Sequence, residues 1–476
     1  MEGSQHRASP DITTKTAPLL AIVVAATLFQ ACVQTVMLPL LPVLPAITGA
    51  DRATVSWLVT ITLLVGAVVN PIFGRLADMY GKKLIFIAAL VMMTTGSAVC
   101  AATSDIGWLL MARGLQGAGS AVVPVGIALL RDQLPKAVAG QAIAMVAASL
   151  GLGASVAIPF SAVVSQYLHW HVTFVITTIL GALTVVAAGL VVRESARNPV
   201  GTFDGIGAIG LSVALVALLL PITQGANWGW TSPLVWSLSA ASSVLFCCWT
   251  LQQLRHRYPL VNLRLLAERK LLVPNLITFL VGFAFFGNLL ITTQLLQGGR
   301  DGGAGYGLSM VVAAACQIPA SVAMMSLARI AARSTTRFGA RRTMLVGAAF
   351  LTVGYGIHSV PHKPLWGVIG ALFVTSVGTA ICYSTLPLLI VEAAPADEIA
   401  ASTGMNAVIR TVGSTTCSAM VAAVLSVFAA GDAHGSPSWS GFTAAYLTCC
   451  VCSAIVIAAA ILLPGKPARS PVASPT

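Results

Sequence analysis

Charge is what this chain has least of. Only 8% of its 476 residues are Asp, Glu, Lys or Arg, where a soluble domain carries about 25%. A chain that is 57% hydrophobic cannot cover itself with polar groups, so a soluble enzyme is excluded and lipid must be part of its solvent. Acids are scarcer than bases, 14 against 26, which leaves a net charge of +12. No basic patch interleaved with aromatics accompanies that excess, which argues against nucleic acid. Metal-ligand spacing is missing as well. The ten cysteines lie inside apolar runs, and Cys449, Cys450 and Cys452 have no His or Asp nearby. They read as packing residues, and no metal or other cofactor is expected. No secretory signal is expected, because Met1 to Thr16 is polar and the first apolar run is too long for a signal core.

Apolar runs are what the chain has in quantity. A spanning helix needs about 20 mainly apolar residues, because unsatisfied backbone groups are costly in hydrocarbon. Such runs occur near 17–42, 55–73, 84–104, 107–130, 139–165 and 172–192, then near 205–222 and 233–251. Six more follow near 272–296, 308–330, 343–360, 366–391, 404–429 and 443–464. The expectation is an all-α membrane protein with 14 transmembrane helices and both termini on one side. The basic residues choose that side. Of the 26 Lys and Arg, Arg52, Arg300 and Lys363 fall outside and Arg113 and Arg410 fall within spans, leaving 21 for the inside. That asymmetry places the tails 1–16 and 465–476 in the cytoplasm. The longest inner connector, LQQLRHRYPLVNLRLLAERK (251–270), is basic and partly apolar, and reads as an interfacial segment beside anionic headgroups.

A repeat lies in the loops. GRLADMYGKK (74–83) and ARSTTRFGARR (332–342), aligned on Gly81 and Gly339, share Arg, an aromatic, Gly and paired basic residues. Repeated halves are a common plan of transporters, with the substrate site between them. The expected domains are a six-helix bundle at 17–192, a linker with two extra helices at 193–271, and a second six-helix bundle at 272–464.

These residues resemble the major facilitator superfamily, in its 14-helix drug:proton antiporter branch. GRLADMYGKK matches that family's loop pattern at Gly74, Leu76, Asp78, Gly81, Lys82 and Lys83. Gly81 permits a tight turn, Lys82 and Lys83 suit the inner leaflet, and Asp78 suits a helix N-terminus or a cation, latching one half to the other. RGLQGAGSA (113–121) is similar to the family's fourth-helix pattern, with glycines for close helix approach and Arg113 within the membrane. The resemblance brings Arg131 and Asp132 of RDQLP into the charge cluster around Asp78. GMNAVIRTVGSTTCSA (404–419) supplies Arg410, with Asn406 one turn before it, for a cavity or gating role. The chain departs from the family in two places. Gln30 stands where the first helix usually carries Asp. GLGASVAIPFSA (151–162) displaces the antiporter proline to Pro159, yet keeps Gly153, Ala157 and Ser161 as a small-residue stripe.

The resemblance implies a multi-pass cell-membrane exporter of drugs, antibiotics or metabolites that works by alternating access, coupled to protons. Proton coupling needs a titrating group that alternates between sides. No Asp or Glu lies deep in a span, and Asp132 and Glu392 come nearest, so a relay through Asp78, Asp132 or Glu392 with Arg113 is one expectation. A facilitator or weakly coupled exporter is another, and a transporter-derived receptor or scaffold a third. His169 and His171 belong to the outer rim. The polar residues placed to line a midplane cavity are Gln30, Gln34, Gln116, Asn288, Gln294, Gln317, Tyr383, Asn406 and Arg410. Apolar walls favour a hydrophobic or amphipathic substrate, and two Arg without a deep acid favour neutral or weakly anionic compounds. A monomer is expected.

Overall fold

The structure, a computed structural model, describes residues 17–41, 44–195, 202–299, 304–361, 364–396, 398–429 and 438–463. The expected tails, Arg300 and Lys363 lie outside the described residues. The first helices are α1 (Ala17–Thr35), α2 (Leu44–Thr48), α3 (Arg52–Tyr80), α4 (Lys82–Ala102), α5 (Ile106–Ala118) and α6 (Val122–Gln133). Next come α7 (Lys136–Tyr167), α8 (His171–Val191), α9 (Gly205–Trp228), α10 (Pro233–Arg255), α11 (Leu263–Ala267) and α12 (Arg269–Gln297). The last are α13 (Met310–Ala315), α14 (Ile318–Phe338), α15 (Ala340–His358), α16 (Leu365–Ala393), α17 (Ile399–Ala429) and α18 (Trp439–Ile461). No strand occurs among the described residues. Short polar side chains start several helices: Asp105, Asp204, Ser232 and Asn262 each accept from the backbone N–H three residues on, satisfying one orphan donor.

Among the described residues, eleven helices, with α5 and α6 joined as one, are long and apolar enough to cross a membrane. The chain is therefore a multi-pass helical membrane protein. Three other expected spans, near 139–165, 308–330 and 343–360, fall in α7, in α13 with α14, and in α15, and are not among those eleven.

Both repeated segments are corrected from loops to helix. The 74–80 stretch is the last part of α3, and 332–338 the last part of α14. Each connection is a single glycine, Gly81 at φ 116° and Gly339 at φ 88°, backbone that a side chain would strain. Polar residues ended the hydropathy signal there without ending the helix.

Packing follows the small residues. Gly153 sits on Leu28 and Ala31 of α1, Cys32 Sγ donates to the Gly153 carbonyl, and Ser161 Oγ donates to the Val36 carbonyl at 2.6 Å. The stripe thus carries α7 along α1, with Pro159 inside a continuous helix. Two seams join the first eight helices to the last seven: α3 against α17, and α7 against α14 and α16. The inserted helix α9 packs on both α3 and α17, burying Leu211, Leu215 and Leu219 against residues such as Ala67, Met405 and Val408. Gln224 of α9 also donates to Thr60 of α3 at 3.2 Å. Helix α9, with α10 packed on it, therefore covers the seam between α3 and α17.

Candidate functional site

The first cluster sits where α3 ends and α17 begins. α3 runs straight to Gly81, which puts Asp78 in its last turn, facing the first turn of α17. The Asp78 carboxylate accepts from the Ala401 N–H at 2.9 Å and the Ala400 N–H at 3.4 Å. A helix N-terminus with free amides is a ready partner for an anion. On its other side Lys82 Nζ lies 3.6 Å from Asp78 and 2.6 Å from Asp132. Lys82 is buried, so it does not anchor to lipid as expected. The Gly81 turn folds it back between the two acids, and Lys83 instead donates to the Gly189 carbonyl at 3.0 Å. Arg131 does not join this cluster. It lies one position round the α6 helix from Asp132, near enough to Glu392 of α16 to act on it electrostatically.

Close backbone approach completes the latch. A Cβ on Gly74 would stand 2.5 Å from the Ala400 carbonyl oxygen, and one on Gly404 2.6 Å from that of Asn70. Thr403 Oγ1 donates to the Pro124 carbonyl at 3.2 Å, bringing α6 into the same contact. Gly81 is also crowded, by the Glu194 carboxylate.

Arg113 is 1% exposed, does not snorkel, and meets no acid among the described residues. Its Nε donates to the Leu58 carbonyl and Nη1 to the Val33 carbonyl, both at 2.9 Å, with Gln116 Oε1 at 2.7 Å. A guanidinium serving carbonyls ties α1, α3 and α5 together. Gln116 in turn donates to Ser97 Oγ at 3.1 Å, so it is consumed inside the bundle and does not line a cavity. The expected relay through Arg113 has no acid at either end of these bonds. Gln30, 3% exposed, keeps its Oε1 without a hydrogen-bond partner, and Gln34 is half-buried.

Among the later helices the expected residues divide. Asn288 and Gln317 line one small cavity, with Phe285, Met324, Ser376 and Thr379. Met324 packs directly on Gly151 of α7, so the cavity reaches the second seam. Tyr383 packs on Phe285 with ring centroids 5.2 Å apart, and Arg410 is near enough to Tyr383 to act on it electrostatically. Arg410 is half-buried and in no ion pair among the described residues. Asn406 does not face the cavity. Its Nδ2 donates to Asn275 Oδ1 and Thr278 Oγ1, both at 2.8 Å, pinning α17 to α12. Gln294 is exposed near the end of α12, away from the cavity lining.

Two polar groups escaped sequence reasoning. Asp204, 4% exposed, accepts from the Gly207 N–H at 2.7 Å, Gln253 at 2.7 Å and Gln252 at 3.2 Å. Burial pushes its pKa up, but these bonds and nearby His256 outweigh it and hold the carboxyl below the usual carboxylate range. Its signal was a Phe-Asp-Gly step before an apolar run, which reads as an ordinary cap. The second group joins α15, α18 and α12: His358 stacks on Tyr446 at 4.6 Å, and the Tyr446 hydroxyl meets Thr292 Oγ1 at 2.9 Å. No periodicity marks such a contact. At the start of α8, His171 and His169 face each other through their Nδ1 atoms at 2.8 Å.

The likenesses to known proteins agree with this architecture. Residues 23–418 match the family model described as Major Facilitator Superfamily. The chain is 27% identical over 378 residues to the Multidrug resistance protein Stp of Mycobacterium tuberculosis, covering 78% of this chain and 69% of that one. It is 25% identical over 428 residues to the Tetracenomycin C resistance and export protein of Streptomyces glaucescens, 89% and 78% of the two chains. Its fold is similar to the crystal structure of the human organic anion transporter MFSD10 (TETRAN), with a TM-score of 0.64 at 15% identity over 94% of this chain and 100% of that one.

Proposed function

The chain belongs to the Major Facilitator Superfamily, a transporter and not an enzyme, and from that premise we propose that it exports small hydrophobic or amphipathic compounds. The relatives named for multidrug resistance and for tetracenomycin export support the direction. In this reading the bundles 17–192 and 272–464 rock about a shared midplane space, the region 193–271 seals one seam, and both termini face the cytoplasm of a bacterial-type cell membrane as part of a 14-span monomer. The latched end around Asp78 is then the cytoplasmic one, and the conformation is closed to the inside.

One observation carries the substrate class: Arg410, half-buried beside Tyr383 and in no ion pair among the described residues. An intramembrane cation near an apolar cavity favours a weakly anionic or neutral cargo over a cation. Asn288 and Gln317 orient it, with Tyr383 as a wall. Proton coupling acts at the latch in this reading: protonating Asp78 removes the charge that Ala400, Ala401 and Lys82 hold, and lets α17 leave α3. The reading of a facilitator with weak coupling is favoured by Gln30 standing where the family usually carries an acid.

Reconstituted protein under an imposed pH gradient tests the coupling. Gradient-driven accumulation of a fluorescent substrate, lost in Asp78→Asn, is the expected result. Substrate equilibration that ignores every gradient leaves the facilitator, and no movement at all leaves a receptor or scaffold. Arg410→Ala should reduce export of anionic compounds about tenfold or more and of neutral ones much less; equal losses would refute the substrate class.

A further inference from the structure

The connector between α10 and α12 has a front and a back. Its back is apolar: Leu260 and Val261 are buried against Met405 and Val408 of α17. Its front is an open bowl whose lining includes Arg255, His256, Arg257, Arg264 and Glu268. Three guanidiniums therefore share one concavity with a single carboxylate, and none of them is in an ion pair among the described residues. Their positions are fixed by the fold. Arg255 closes α10, Arg257 lies over the Tyr258 ring at 5.4 Å, and Arg264 Nη2 donates to the Leu254 carbonyl at 3.3 Å. Each of these leaves further N–H donors uncommitted, since a guanidinium carries five. The His256 ring accepts from the Tyr258 N–H through Nδ1, which puts the proton of the neutral ring on Nε2 as another donor.

The bowl is also wired to the latch. Val261 N–H donates to Gln253 Oε1 at 3.1 Å, and Gln253 Nε2 donates to Asp204 at 2.7 Å. On the opposite rim Asn262 Nδ2 donates to Glu398 Oε1 at 3.3 Å, two residues before Ala400, whose amide Asp78 holds. The connector therefore touches the start of α17 beside α3, where Leu260, Val261, Asn262 and Glu398 line one pocket with Arg75.

We propose that this bowl binds the phosphate group of an anionic lipid of the inner leaflet, and that the bound lipid braces the closed end of the carrier. Phosphate is the ligand that forked guanidinium donors fit, and a basic concavity at the end of two membrane helices lies at headgroup depth. The leaflet assignment rests on the orientation given under Proposed function; the bowl and its charge do not.

Lipid retention by purified full-length protein tests this without any transport measurement. Protein in nanodiscs of phosphatidylcholine with one-fifth phosphatidylglycerol is extracted and its bound lipid weighed by native mass spectrometry, beside the variant Arg255→Gln/Arg257→Gln/Arg264→Gln. A control removes the same charge at Arg333, Arg337 and Arg341. A basic side chain near an anionic surface contributes about fivefold, so the three together predict a roughly hundredfold loss of phosphatidylglycerol preference. That loss is expected in the bowl variant only, with an unfolding midpoint in pure phosphatidylcholine like the parent's. Equal loss in both variants would mean diffuse attraction and overturn the site. A parent that retains no phosphatidylglycerol but is stabilised by inorganic phosphate through the same three arginines would overturn the lipid as the source. A carrier that ignores pH gradients yet retains the lipid sinks the coupling and spares this site. Labelling of the variant Arg257→Cys at that position from the outer face would sink the orientation and the leaflet together.

Discussion

Gly74→Ala adds one methyl group at the tightest point of the latch. The new Cβ would lie 2.5 Å from the Ala400 carbonyl oxygen, 2.9 Å from its carbon and 3.1 Å from Ala401 Cα. All three are backbone atoms, so no side chain can turn aside. Ordinary contact begins near 3.4 Å, and α3 and α17 must part by almost 1 Å to reach it. The 2.9 Å bond from Ala401 N–H to Asp78 then stretches to roughly 3.8 Å and ceases to be a hydrogen bond. Overpacking costs about 1–3 kcal/mol and a lost bond to a charged acceptor about 1.5–3. Separation relieves one as it forfeits the other, so the closed state loses about 2–4 kcal/mol, a shift of roughly thirty- to several-hundredfold. Helix propensity works the other way, because Ala favours a helix over Gly by about 1 kcal/mol. The protein should therefore stay folded while the latch opens. Spin labels at the exposed positions Tyr80 and Ala396, read by double electron–electron resonance, should gain a longer-distance population. Adding Asp78→Asn should then change little more, since both act on one contact. A distance distribution identical to the parent's, in folded protein, would refute the reasoning.

Arg113→Lys replaces a fork that serves two carbonyls and Gln116 with a single ammonium, leaving at least one buried acceptor unmet. The unfolding midpoint should fall by an amount equivalent to about 1–3 kcal/mol, while the pH dependence of transport stays unchanged; a moved pH profile would restore Arg113 to the proton path. Asp204→Asn sets an amide N–H against the Gln252 and Gln253 donors and should cost about 1–3 kcal/mol at neutral pH, measured by thermal unfolding. Because the folded pKa of Asp204 lies below its ordinary 3.8, its contribution is full above that value and fades as pH falls through the folded one. The gap between parent and variant should therefore close only in strong acid, and a gap that closes near pH 6 would exclude Asp204 as its source.

The helices were legible because lipid demands long apolar runs, and the glycines because the chain must turn or touch there. What hydropathy could not reveal was where helices end. The polar last turns of α3 and α14 continue helical outside the apolar zone, and that continuation is what presents Asp78 to α17. Single residues were read correctly as chemistry and less well as partners. Arg113, Gln116 and Asn406 stood out as polar groups in apolar runs, yet each is spent on a neighbouring helix, because bonds between remote segments leave no trace in local sequence. Asn288 and Gln317 have the same sequence character and do come to the cavity, with Tyr383 packed behind Phe285 of its lining. Lys82 and Lys83 obeyed the charge asymmetry of the loops, but the one-glycine turn aimed them at protein instead of headgroups.

In the alternating-access cycle proposed above, Arg410 would also carry an electrical sign. A carrier whose access to this residue switches sides displaces positive charge through part of the membrane field when it turns empty, and the field is worth about 2.3 kcal/mol per elementary charge per 100 mV. An anionic cargo seated there cancels the charge, so the loaded carrier reorients without feeling voltage. Membrane potential would then govern the return stroke alone and set the pace of turnover without touching affinity for the cargo.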